Sequence, residues 1–334
     1  MRRIVSLALF SLLAVVSACS SDDTSEAGMD DAMATADHAM GDRLNPLVAL
    51  HEADAPQFGL YAPSPGGGPP RGDNPPPPVK SPMERAQETL AYASSDYVFD
   101  GSMEGGVDER LPVFTEFVDA LMAEGARAST HPLVVKMAKI TDAEQAAREV
   151  SMQLDAGVSG IMFVEVESAE EAQAGLAAMR YESQGGTRAD RVGSAPAYWG
   201  LDEAEYRQRA DLWPLNPDGE LISWVIVESH EGLANVREIA AVPGIGVLWP
   251  GAGTLRGLFS TVNDAGERVL DEEGWENSIQ TVLAACKEFD IPCGYPANAS
   301  DIEMRMEQGF EVFVMGWGEG GFATIETGRA LSGR

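Results

Sequence analysis

LISWVIVESHEGLANVREIAAVPGIGVLWPGAGTLRG, residues Leu221–Gly257, is the stretch on which the fold turns. It opens with an apolar, β-branched run (Ile222, Val225, Ile226, Val227) that reads as a buried strand and stops abruptly at a carboxylate, Glu228. A helical pattern follows on Leu233, Val236, Ile239 and Ala240, and Pro243-Gly244 ends it. A second apolar strand, Ile245–Trp249, then runs into the glycine-rich turn Pro250-Gly251-Ala252-Gly253-Thr254. Strand, helix and strand with short connections make a βαβ unit whose parallel sheet needs cover on both faces. The acid and the glycine turn therefore sit at the C-terminal ends of adjacent strands, where α/β folds build their sites.

The same alternation extends in both directions. Upstream, helices are expected over 45–53, 83–94, 112–124, 142–156 and 169–179, with strands over 58–62, 97–99, 133–137 and 160–164. An irregular stretch spans 181–217. Downstream come helix 275–289, strand 292–295, helix 301–308 and strand 311–315. Eight strands separated by helices fit a closed α/β barrel, a (β/α)8 TIM barrel, better than an open doubly wound sheet. No G-x-G-x-x-G follows the first strand to argue for a dinucleotide. A single domain over 45–328 is expected, interrupted by the segment 63–82, PSPGGGPPRGDNPPPPVKSP, which cannot pack as an element and reads as an insertion at the rim of the site rather than a lid. The 334-residue chain is 44% apolar, enough for a full core, and its formal charge of -30 repels phosphates and argues against nucleic acid.

Residues 1–19 are read as a signal, not as fold. Arg2 and Arg3 precede an apolar run, Ile4–Val16, that is too short for a mature span, and Val16-Ser17-Ala18-Cys19 follows. This resembles a bacterial lipoprotein signal, which implies cleavage before Cys19, lipid on that cysteine, and an exported, periplasmic protein held on a membrane, with Ser20 compatible with the outer one. Residues 20–44 are acidic, small and aperiodic at their start, and read as a flexible tether. Cys286 and Cys293 fall in a helix and the following strand, a short connection that points side chains into different layers, so two buried free thiols are expected.

Barrel logic sorts the polar residues just past strand ends: Glu104, Lys136 with Lys139, Glu165 with Glu167, Glu228 with His230, Thr254 with Arg256, Tyr295 with Asn298, and Trp317 with Glu319. Several carboxylates around one apolar mouth would repel one another, so either a hard divalent metal or a Lys–Glu network is required to neutralise them.

The run VIVESHEGLANVREIAAVPGIGVLWPGAGTL resembles the core of the HpcH/HpaI aldolase/citrate lyase family, where a strand ending I-E precedes a helix, A-V-P-G and a G-P-x-D-L turn. NPLVALHEADAPQFGLYA, SDYVFDGSMEG and DAGVSGIMFVEVESAEEAQAGLAAMRY are similar to further family segments. The resemblance implies a TIM barrel of the phosphoenolpyruvate/pyruvate-binding type and reversible aldol or Claisen-type cleavage that releases pyruvate or a related acid. It also implies a Mg, Mn or Co ion held by a Glu and an Asp, with an Arg and a His in support. Only the Glu is retained, as Glu228; the Asp is Thr254 here, the Arg is Lys136, and the His after M-E is Gly105.

On this basis Glu228 and Glu165 are expected to hold the metal, and Lys136, Glu104 and His230 to act in catalysis, with Lys139 a further candidate proton carrier. Gly251, Gly253, Thr254 and Lys136 are expected to bind the acid, the backbone amides cradling its carboxylate. The implied function is a divergent metal-dependent carbon–carbon lyase acting on a small 2-oxo or hydroxy acid through a pyruvate-type enolate. The alternatives are a non-catalytic carboxylate-binding lipoprotein on the same barrel, and an ester or thioester hydrolase working without the metal. The family's habit of forming trimers or hexamers carries the expectation of a homo-oligomer.

Overall fold

The computed structural model describes residues 43–67 and 76–334. The expected signal over 1–19, its lipidated Cys19 and the tether over 20–42 lie outside the described residues, as do residues 68–75 of the Pro/Gly segment. Ordered contacts begin before the expected boundary at 45: the Arg43 guanidinium donates to Glu52 at 3.0 Å, and the Leu44 N–H donates to Glu220 at 3.3 Å.

Eight parallel strands form the barrel: β1 (Gln57–Tyr61), β2 (Val98–Asp100), β3 (Leu133–Lys136), β4 (Gly160–Phe163), β5 (Leu221–Val227), β6 (Val247–Pro250), β7 (Gly294–Tyr295) and β8 (Val312–Met315). Neighbours pair in sequence order from β1 to β6, β7 pairs β8, and β8 pairs β1. The remaining seam, between β6 and β7, is closed by a parallel bridge of Leu248 with Cys293 and by the Leu248 N–H donating to Pro292 at 3.0 Å.

Burial explains why β5 reads as an unbroken apolar run. All seven of its residues are buried. Ile222, Trp224 and Ile226 point into the barrel with Phe99, Met162, Trp249 and Val314, while Leu221, Val225 and Val227 join the larger core under the helices. Inside, Trp224 stacks on Trp249 at 5.4 Å and lies edge-on to Tyr97 at 5.3 Å, filling the lower barrel beneath a cavity at the C-terminal strand ends.

Several expectations are corrected. The helix expected to start at Pro112 starts at Val107 and runs to Ala123, carrying Pro112 inside; Gly106, at φ 109°, makes the turn into it. The helix expected across 233–240 divides at Asn235 into His230–Ala234 and Val236–Ala240. The stretch 181–217 contains helices Ala195–Trp199 and Glu203–Arg209 and a short strand, Leu212–Trp213, that pairs with the start of β5. A hairpin, Ser260–Val262 with Arg268–Leu270, and a closing helix, Glu319–Ser332, were not foreseen, and the helix carries the domain past residue 328.

The cysteine expectation is also overturned: Cys286 and Cys293 form a disulfide, with Cα atoms 5.6 Å apart. Asp290 adopts a left-handed conformation at φ 55°, and the Ile291 N–H donates to the Cys286 carbonyl at 2.9 Å. That tight reversal returns the chain beneath the last helical turn, so the two side chains share a layer. The two described ends of the Pro/Gly segment are tied together, the Gly67 N–H donating to Pro77 and the Lys80 N–H to Pro65, each at 2.8 Å.

Candidate active site

At the C-terminal mouth of the barrel lies a cavity of about 200 Å³. Its floor is apolar, from Phe99, Met162, Ile226, Trp249 and Val314; its polar wall is Lys136, Glu228 and the turn Gly251–Thr254, with Tyr61 and Pro296 at the sides.

Glu228 follows directly on the last residue of β5 and is only 5% exposed. One carboxylate oxygen accepts the main-chain N–H of Glu165 at 3.2 Å, and among the described residues no Lys, Arg or His pairs with it. A buried carboxylate without a cation costs several kcal/mol, so a positively charged or strongly donating ligand is the natural partner of this group. The other oxygen faces Gly251. Val227 and Pro250 are register partners, and the Gly251 N–H donates to the Val227 carbonyl at 2.9 Å, which brings the turn hard against Glu228. A Cβ at position 251 would lie 2.5 Å from the Glu228 oxygen, so only glycine permits this approach.

The turn then enters helix Ala252–Leu258, whose first internal bond runs from the Leu255 N–H to the Gly251 carbonyl at 2.9 Å. The N–H groups of Ala252, Gly253 and Thr254, residues that line the cavity, are therefore outside the helical ladder. Lys136 ends β3, and its ammonium donates to Glu104 at 3.0 Å. The tie holds a long side chain in the wall of the cavity that Glu228 also lines.

A larger cavity of about 750 Å³ adjoins the first, and Tyr61 and Phe99, edge-to-face at 4.8 Å, line both. Burial, and then the carboxylates of Glu104 and Asp100, push the Tyr61 phenol above its ordinary range. At neutral pH it stays a protonated donor.

The structure thus brings together Glu228, Lys136, Gly251, Gly253 and Thr254, with Glu104 in the wall of the larger cavity, bonded to Lys136. Glu165 is placed otherwise: it is exposed, at φ 48°, does not line the cavity, and brings its main-chain N–H rather than its carboxylate to Glu228. His230 is exposed on the following helix, edge-on to Phe259 at 5.7 Å, and lines neither cavity. Lys139 pairs with Glu167, which raises its pKa. Among the described residues no group of three or more His, Cys, Asp or Glu side chains converges as a ready-made metal nest. Two residues escaped the sequence reading: Tyr61, whose only signal was its place at the end of a strand, and Arg85, which the pattern put on an ordinary helix.

A model of the HpcH/HpaI aldolase/citrate lyase family matches residues 88–314. The chain belongs to this family. Among curated relatives it is similar to the hydroxypyruvate/pyruvate aldolase of Paraburkholderia phytofirmans, 30% identical over 272 residues that cover 81% of this chain and 90% of the relative. It is also similar to the 2-dehydro-3,6-dideoxy-6-sulfogluconate aldolase of Pseudomonas putida, 26% identical over 67% of this chain and 78% of that one. The fold is that of a family protein from Burkholderia cenocepacia, with a TM-score of 0.60 at 23% identity over 86% of this chain and 98% of the other. At the level of the family the chain is of the aldolase/lyase type, and its curled parallel sheet is the family's TIM-barrel type.

Proposed function

We propose that the protein is a carbon–carbon lyase acting on a small 4-hydroxy-2-oxo acid, cleaved to an aldehyde and the enolate of pyruvate or a close analogue. The observation that carries this reading is Glu228: a carboxylate 5% exposed, without a cation among the described residues, in a cavity that it shares with Lys136, the Gly251–Thr254 turn and the Tyr61 phenol. The aldolase relatives support the same reaction class.

The acid's carboxylate fits against the N–H groups of Ala252, Gly253 and Thr254, which need no particular side chain to bind an anion. Lys136 supplies positive charge beside the 2-oxo group, where negative charge develops as the enolate forms. Phe99, Met162 and Trp249 exclude water from the enolate, which would otherwise be protonated early. Glu104, in the wall of the larger cavity and 3.0 Å from Lys136, accepts the proton of the C4 hydroxyl. The C3–C4 bond then breaks, its electron pair passing to the enolate, and the aldehyde departs through the larger cavity.

A divalent ion of the family's kind fits the donor chemistry here, because Mg-type ions accept one or two carboxylates with substrate and water oxygens completing the shell. Glu228 and the Thr254 hydroxyl would hold it, together with the oxygens of the 2-oxo acid. When bound it would act as a Lewis acid on the 2-oxo group. Thr254 in place of an anionic ligand makes that hold weak, so the ion is expected to bind with the acid rather than before it.

The test is exchange of the methyl protons of pyruvate in D2O, followed by NMR with and without Mg, Mn or Co. Glu228→Ala is expected to lower exchange on the order of 100-fold or more. Unchanged exchange would remove Glu228 from the chemistry. A second reading, an oxo-acid-binding protein without turnover, is favoured by Gly105 standing where the resemblance places a His. It would be recognised by pyruvate binding without any exchange.

We also propose that the chain works outside the cytoplasm on a lipid anchor. The Cys286–Cys293 disulfide supports an oxidising compartment. Labelled palmitate should enter the full-length protein made in a bacterial host and be lost in Cys19→Ser; equal labelling of both would end the idea.

A further inference from the structure

Cleavage of a 4-hydroxy-2-oxo acid at this mouth leaves a proton and a carbanion in different places. The C4 hydroxyl gives its proton to Glu104, which lines the larger cavity, whereas the enolate carbon stays in the smaller one among Phe99, Met162 and Trp249. Pyruvate forms only when C3 receives a proton, and the position that carries one by resemblance is Gly105, which has no side chain to do so.

Three titratable side chains line the smaller cavity: Tyr61, Lys136 and Glu228. Glu228 is a carboxylate that accepts the Glu165 N–H at 3.2 Å, and Lys136 donates to Glu104 at 3.0 Å. Tyr61 is left as the neutral donor. Among the described residues of the smaller cavity, only Tyr61 and Phe99 also line the larger one, and Phe99 has no proton to give.

The fold holds the phenol at that boundary. Tyr61 ends β1 and is the register partner of Phe99 on β2, the two rings standing edge-to-face at 4.8 Å. Its ring passes so near Gly101 that a Cβ there would stand 3.3 Å from the Tyr61 Cε1. The end of β2 is anchored in turn: Asp100 lies 3.6 Å from the buried Arg85, whose Nε donates to the Pro63 carbonyl at 2.7 Å and whose guanidinium stacks over Phe117 at 4.2 Å. Burial first, then the charges of Glu104 and Asp100, keep the phenol in its protonated form.

We infer that Tyr61 is a catalytic residue of this site, the acid that hands its phenolic proton to C3 of the enolate and recovers one from Glu104 across the larger cavity. The step balances. The C3–C4 electron pair left on the enolate forms the new C3–H bond, and the phenolate takes up the proton that Glu104 received from the C4 hydroxyl. Both residues regain their starting states as pyruvate and the aldehyde leave. Run backwards, the same relay removes a methyl proton from bound pyruvate. The inference rests on the lyase reading of the smaller cavity.

Two measurements on the same preparations decide it: exchange of the methyl protons of pyruvate in D2O at saturating pyruvate with Mg present, and pyruvate affinity by calorimetry. Tyr61→Phe removes a single oxygen and is expected to slow exchange on the order of 100-fold or more while changing affinity by less than about tenfold, the scale of one neutral hydrogen bond. Tyr61→Trp, which keeps an aromatic ring beside Phe99 without a phenol, should show the same split and serves where the first variant folds poorly. Exchange that survives in both variants would overturn the inference and leave the lyase reading standing, as would a loss confined to affinity with exchange restored at saturation. No exchange in the unaltered protein would overturn both.

Discussion

Glu228 and Gly251 are in such close approach that a methyl group on the glycine would lie 2.5 Å from a carboxylate oxygen and 2.4 Å from the Glu228 Cβ. The contact joins the ends of two adjacent strands and sets where the carboxylate points. Gly251→Ala should therefore turn Glu228 out of the cavity, costing about 1–3 kcal/mol in stability through overpacking and about tenfold or more in pyruvate affinity. Urea unfolding and calorimetric titration check both, and unaltered affinity would mean that the carboxylate's direction is immaterial.

Lys136 and Glu104 act as one unit in this geometry, 3.0 Å apart. In a double-mutant cycle of Lys136→Met and Glu104→Gln read by pyruvate affinity, a coupling of about 0.5–3 kcal/mol is expected, because Lys136 loses its placement when Glu104 is neutralised. Strict additivity would show that the pair is only a rim contact.

The Cys286–Cys293 disulfide closes a short loop, with a sequence separation of 7. Its contribution should be about 2 kcal/mol by loop entropy. The Cys286→Ala/Cys293→Ala protein should show a lower urea midpoint with an unchanged slope. Titration of the unfolded, unreduced parent with a thiol reagent should find both of these cysteines blocked.

His51 lies beneath the barrel, stacked on Trp213 at 5.3 Å, and its Nε2 has no partner among the described residues. Burial pulls its pKa down from 6.5 to about 3. The folded state thus keeps a neutral ring while the unfolded chain takes up a proton. Stability is fully present above pH 6.5 and is lost as the pH falls toward about 3, at up to about 1.4 kcal/mol per pH unit from this group. His51→Phe, which preserves the stack, should flatten that part of the stability–pH curve; an identical acid profile in both proteins would show that His51 does not carry it.

The eight strands were legible because a parallel barrel buries both strand faces, and runs such as Leu221–Val227 are apolar throughout. Glu228 stood out for the same reason, as a charge at the end of such a run. What escaped was set by contacts between segments distant in sequence. The first turn of one helix was lost because Pro112, a residue that normally marks a helix start, here sits inside a helix begun at Val107 by Gly106. Arg85 looked like a solvated helix charge until Phe117 and Pro63, from other elements, covered it. The disulfide was hidden by a single left-handed residue, Asp290, a conformation uncommon outside glycine. His230 and Glu165 lie beside Glu228 in the chain, or end the neighbouring strand, yet adjacency says nothing of direction: one turns to solvent and the other offers only its amide.

Two main-chain hydrogen bonds, Gly67 to Pro77 and Lys80 to Pro65, stitch the stalk of the Pro/Gly segment shut at the edge of the larger cavity. A shut stalk keeps Pro63 in one place, and Pro63 in turn holds the Arg85 guanidinium on the wall of the larger cavity. Breaking either tie would therefore be felt not at the stalk but at a buried arginine, a clasp on one side of the wall setting the rigidity of the other.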